Sequence, residues 1–145
     1  MSTTSKVKIS LVSIIDNLSD TGLPSGEYEK SEISATGTLL SGARGSVISF
    51  CEETEGGSVK TKIEILGDRV RVCRHGAIES DILFSEGVAH RSVYSIPPYS
   101  FDASVFTRKI RGGIEEDGKL EIFYDLEIGG AKKSVKMSLV CDAEI

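Results

Sequence analysis

Apolar and polar side chains alternate along almost the whole chain, and short glycine-bearing turns interrupt the alternation repeatedly. A period of two belongs to a half-buried β-strand and not to a helix. Val59, Thr61, Ile63 and Ile65 alternate with Lys60, Lys62 and Glu64; after Gly67-Asp68, Val70 and Val72 alternate with Arg69 and Arg71. Gly-Asp between two such runs is a two-residue hairpin signal. It sets Leu66 opposite Arg69, Ile65 opposite Val70, Glu64 opposite Arg71, Ile63 opposite Val72, Lys62 opposite Cys73 and Thr61 opposite Arg74. Apolar then meets apolar on one face while Glu64 meets Arg71 on the other. A slip of one residue destroys that match.

The same test applies near the C-terminus. Leu120, Ile122, Tyr124 and Leu126 lead into Gly129-Gly130, and Val135, Met137 and Leu139 follow. A two-residue turn pairs Tyr124 with Val135, Ile122 with Met137 and Leu120 with Leu139, and puts Glu127 opposite Lys132. Further turns are expected at Gly76, Glu86-Gly87, Pro97-Pro98 and Asp117-Gly118. Strands are therefore expected over 6–15, 28–40, 45–53, 58–66, 69–75, 78–85, 88–96, 101–111, 119–128 and 132–141, with one long loop at 16–26 that can hold a helical turn. Sequential antiparallel strands in this number curl and close, which removes exposed edges. The expectation is one all-β domain spanning 1–145: an antiparallel up-and-down barrel of 8–10 strands, or a strongly bent sandwich. A barrel of about eight strands has room for packed side chains or for one small ligand.

Composition narrows the function classes. The 145 residues carry 17 Lys+Arg against 22 Asp+Glu, a net charge of −5, with no Trp. Basic pairs such as Lys132-Lys133 are short and there is no Trp, so the basic patch and stacking aromatics expected of a nucleic-acid binder are not seen. Cys51, Cys73 and Cys141 are odd in number and widely spaced, as expected of reduced thiols in the cytoplasm. Ser10, Ser13, Asp16 and Asn17 interrupt the apolar start of the chain, so no signal peptide is expected. No run approaches the ~18 apolar residues of a membrane span. A soluble cytoplasmic protein with no membrane or nucleic-acid partner is the expectation; nothing in the sequence specifies an oligomeric state.

The stretch VCRHGAIESD, Val72 to Asp81, gathers Cys73, His75, Glu79 and Asp81. Strand phase puts all four on the outer face of one hairpin, with His75 opposite Glu79 and Cys73 opposite Asp81. Lys60 and Lys62 fall beside them and compete with any cation, so no metal site is expected. A Cys-His nucleophile would need a third, orienting group. A charge-paired surface is the expectation here, and His90, alone on a later strand, reads as structural. GGAKKS lacks phosphate-loop spacing and joins two strands, whereas a phosphate loop opens a helix. No cofactor is implied.

Arg74 differs. Its phase turns it inward, opposite Thr61, where an unpaired guanidinium is costly. Glu52 shares a phase with Ile48 and Phe50, and Tyr94 and Tyr124 also lie on inward faces. Three readings follow: a satisfied plug of Arg74, Glu52 and one tyrosine; a polar anchor in a ligand cavity; or acid–base chemistry at Glu52. The last is disfavoured because an arginine neighbour lowers a carboxylate's pKa.

Several stretches together resemble the YwiB-like family of uncharacterised bacterial proteins. They are FCEE (Phe50–Glu53), KTKIEI (Lys60–Ile65), VRVCRHG (Val70–Gly76), LFSEG (Leu83–Gly87), YSIP (Tyr94–Pro97), Thr107 in VFTRKI, and LEIFYDLEIGG (Leu120–Gly130), spread over 28–140. Ile96 and Tyr99 depart from the family's usual threonine and glycine, so that turn is expected to be built differently. The resemblance implies a calycin-like (lipocalin-like) β-barrel and brings no agreed activity. The resulting expectation is a non-enzymatic barrel that binds a small, partly apolar, anionic molecule, with Arg74, Glu52, Thr61, Tyr94 and Tyr124 as candidate binding residues. The alternative is a protein-interaction module with a filled barrel and an exposed apolar patch.

Overall fold

A computed structural model describes residues 3–18, 24–114 and 118–143. Ten strands run in chain order: β1 (Thr3–Leu18), β2 (Pro24–Gly42), β3 (Gly45–Thr54), β4 (Gly57–Leu66), β5 (Arg69–Gly76), β6 (Ser80–Ser85), β7 (Ala89–Ile96), β8 (Tyr99–Gly113), β9 (Lys119–Ile128) and β10 (Ala131–Ala143). They form one antiparallel sheet in the order β6-β5-β4-β3-β2-β1-β10-β9-β8-β7. The first and last strands thus lie side by side, from Val7 opposite Ala143 to Asn17 opposite Lys133. The sheet's two ends, β6 and β7, meet at one bridge, where Glu79 and Ser95 exchange backbone hydrogen bonds of 2.8 Å. The result is an up-and-down barrel with a narrow seam.

The hairpin registers match those read from alternation. Thr61 faces Arg74, Ile63 faces Val72 and Leu66 faces Arg69; Tyr124 faces Val135 and Ile122 faces Met137. Gly67 carries a φ of 64° with no positive φ at Asp68, as a hairpin turn with glycine in its first central position requires. The Pro97-Pro98 turn needs no positive φ either, so Ile96 and Tyr99 pair directly across it.

Strand ends differ from expectation by a few residues in several places, and two of these differences have a clear cause. The loop expected over 16–26 is partly strand: β1 continues to Leu18, which pairs with Pro24 beyond a register shift after Asp16. Backbone pairing of two long strands carries on past Asp16 and Asn17, because ladder hydrogen bonds do not require apolar side chains. A helical turn within that loop falls on 19–23, outside the described residues. β6 begins at Ser80 and not at 78, since Ala77 donates to the Ser58 carbonyl and Glu79 is taken up by the seam.

The core fills the half of the barrel toward the 42–45, 66–69 and 85–89 turns. Val7, Ile9, Leu11, Ile48, Ile63, Val70, Val105, Leu120, Ile122 and Leu139 are buried there, the inward members of their strands. Close packing at this end leaves the opposite end for a site.

Candidate functional site

The barrel interior toward the 76–80, 96–99 and 128–131 turns holds a cavity of about 320 Å³. That is the lower end of the ~300–1,000 Å³ typical of small-molecule sites. Val72, Ile82, Phe84, Leu126, Val135 and Met137 supply apolar wall. Arg74, Tyr94 and Tyr124 also line it, three side chains from β5, β7 and β9 brought together by the barrel's curvature. Phe84 stacks obliquely on Tyr124, with ring centroids 4.8 Å apart and planes at 58°, which holds the phenol in place.

The Arg74 side chain forms no ion pair or hydrogen bond with any described residue, and its Nε is buried without an acceptor. A guanidinium offers five donors and keeps its charge. Its charge reaches Tyr124: burial pushes the phenol up to about 12, the Arg74 charge opposes that, and nearby Tyr94 adds to it. Tyr124 is therefore a neutral hydroxyl at physiological pH, able to donate beside a fixed cation.

Glu52 and Thr61 do not belong to this group, which corrects the expected plug. Neither lines the cavity. Thr61 is 2% exposed, and its Oγ1 donates to Glu52 Oε1 at 3.0 Å. Thr61 lies between Arg74 and Phe50 in the ladder, and Glu52 sits two residues beyond Phe50 toward the end of β3. The carboxylate meets the threonine first and stays half-exposed.

Lys133 was missed. It lines the same cavity from β10, half-buried and without an ionic partner among the described residues. Its signal was present: Lys133 shares the odd-numbered phase of Val135, Met137 and Leu139. Among the described residues no Asp or Glu lines the cavity, and the two charged residues that do are both cations.

The outer hairpin is charge-paired. Arg71 Nε donates to Asp81 Oδ1 at 2.8 Å, Cys73 Sγ approaches Asp81 Oδ1 at 3.5 Å, and His75 Nδ1 lies 3.0 Å from Glu79 Oε2. The Gly76 amide donates to Glu79 Oε1 at 3.0 Å. That bond, with His75, lowers the Glu79 pKa, and the hydrogen bond from Arg71 lowers that of Asp81. Burial, reinforced by the Asp81 charge, pushes the Cys73 thiol up, which opposes the thiolate a nucleophile needs. Glu64 faces Arg71 in register but pairs with Lys62 at 2.9 Å, because Asp81 has taken the guanidinium. His90 is half-buried, its Nε2 buried and without a partner.

Comparison with known proteins agrees with this architecture. The uncharacterised β-barrel protein YwiB of Bacillus subtilis (strain 168) is 27% identical over 105 residues, covering 72% of this chain and 74% of the relative. The crystal structure of the ywiB protein from Bacillus subtilis superposes with a TM-score of 0.83 at 22% identity, over 98% of this chain and 94% of that one, and shares the fold. Residues 17–139 match a family described as a domain of unknown function, DUF1934. With that match running through nearly every strand of the barrel, the chain belongs to the DUF1934 family.

Proposed function

We propose that the protein is a calycin-like ligand barrel that binds a small, partly apolar anion with its acidic group against Arg74, and that it acts as a binding protein in the cytoplasm and not as an enzyme. One observation carries this reading: a permanently charged guanidinium, unpaired among the described residues and with a buried Nε, faces an otherwise mostly apolar cavity. Buried charge without a counter-charge is costly in a folded protein, and an anionic ligand supplies the partner. Tyr94 and Tyr124 stand beside it as hydroxyl donors. Three unpaired cysteines suit a reducing compartment.

Native mass spectrometry of protein purified gently from its own cells tests this. A small acidic molecule should travel with the wild-type barrel and be lost from the Arg74→Met variant. Identical spectra for the two proteins count against the reading.

A second reading draws on β7 and β8, where Ile96, Tyr99 and Phe101 share one face of the hairpin and are exposed. Such a patch serves a protein-interaction surface. It predicts that substitutions there abolish partner capture while leaving small-molecule binding intact.

A further inference from the structure

The cavity's second cation, Lys133, bears on the identity of the ligand. We infer that the ligand carries two separate acidic groups joined by a short apolar stretch, one held by Arg74 and the other by Lys133. This inference rests on the reading of the barrel as an anion-binding one.

Topology places the two cations apart. In the ring of ten strands closed by the Glu79–Ser95 bridge, β5 and β10 are five strands from each other in either direction. Arg74 and Lys133 therefore project from opposite walls into one cavity. Lys133 pairs with Leu126 and is the next inward position after Val135 toward the Gly129-Gly130 turn. Around Lys133 the cavity wall is Ile15, Leu126 and Ile128. The interior thus combines two cations and two phenols with apolar wall.

A ligand with one acidic group can answer only one of these cations, and the other stays without a counter-charge. A ligand with an acid at each end answers both while its middle contacts the aliphatic side chains. Arginine keeps its charge when partly buried, and lysine's flexible stem lets its ammonium reach a second acidic group.

Calorimetric titration with octanoate and with octanedioate separates these cases, using wild type, Lys133→Met and Arg74→Met, each checked for folding by thermal denaturation. Wild type should bind octanedioate about tenfold more tightly than octanoate, the ratio one further charge-assisted contact supplies. Lys133→Met should abolish that preference and leave octanoate affinity within about twofold, an expectation for loss of a contact octanoate does not need. Arg74→Met should weaken both ligands. A preference for octanedioate that survives Lys133→Met, or no preference in wild type, overturns the inference while leaving the anion site standing. Failure of wild type to bind octanoate, or binding indifferent to Arg74→Met, overturns both. Lys133→Gln repeats the test with a polar, uncharged side chain should the methionine disturb packing.

Discussion

Thr61 faces Arg74 across β4 and β5, yet its hydroxyl turns away and donates to Glu52 at 3.0 Å. This one bond separates the charge inside the barrel from the acidic residue closest to it in strand phase. The carboxylate is satisfied from the threonine side, and the guanidinium is left to the cavity.

The separation makes a stability prediction. Arg74→Met removes no hydrogen bond and no ion pair, and it ends the burial of an unpaired donor, so stability should change by less than about 1 kcal/mol or rise. Thr61→Val, by contrast, breaks a real bond and should lower stability by about 1 kcal/mol. Chemical denaturation of both variants decides this. A loss of several kcal/mol in Arg74→Met points to a protein partner for the guanidinium.

Tyr124 ties stability to alkaline pH. Its folded pKa, raised to about 12 chiefly by burial, exceeds the ordinary value of 10.0. The unfolded chain then releases this proton at lower pH than the folded one, so stability falls as pH rises from 10.0 to about 12. The loss over that window is on the order of 2–3 kcal/mol. Tyr124→Phe should flatten the slope. Denaturation midpoints across the range, with tyrosinate absorbance, measure it; an unchanged slope in Tyr124→Phe removes this explanation.

Cys73 should be a sluggish thiol. Burial and the Asp81 charge hold it protonated, while Arg71 pulls weakly the other way. Asp81→Asn removes the negative charge and should speed its alkylation by iodoacetamide several-fold, with little change at the exposed Cys51. Peptide mass spectrometry over a time course resolves the two sites. Equal rates in both proteins show that Asp81 does not govern the thiol.

Gly37 marks a close approach inside the barrel. A Cβ there would lie 2.1 Å from the Ser49 carbonyl oxygen and 2.9 Å from Ile9 Cδ1. Ser49 is fixed in the β3 ladder and cannot yield cheaply, so Gly37→Ala should cost about 1–3 kcal/mol. Thermal unfolding of the variant checks it, and a wild-type melting temperature contradicts the packing described.

The seam should open before the rest. β1 and β10 are paired over most of their length, whereas β6 and β7 share one backbone bridge, aided by the Ser92 hydroxyl on the Asp81 carbonyl at 2.8 Å. Amide exchange in native conditions should be fastest along β6 and β7 and slowest in β1 and β10. Equal protection would mean that the barrel opens only as a whole.

Strand positions, hairpin registers and the inward phase of Arg74 were legible in the sequence. Alternation has a strict period of two, and a short glycine turn fixes which residues face each other. Lys133 was legible in the same way, from the phase of Val135 and Met137, but it entered only as half of the basic pair Lys132-Lys133. The outer cluster of Cys73, His75, Glu79 and Asp81 was placed correctly because all four lie within one hairpin.

What a period of two determines is the face to which each side chain belongs and its neighbour across one turn; on that basis the sequence alone specified a barrel of 8–10 strands and an interior guanidinium. It cannot specify which strands far apart in the chain share the interior. That depended on closure, which laid β1 against β10, set β5 opposite β10 and brought Tyr94 and Tyr124 to Arg74. Glu52 shows the difference: phase turned it toward Arg74, but reach across a curved sheet and a competing donor at Thr61 are properties of the closed barrel, and they kept the two charges apart.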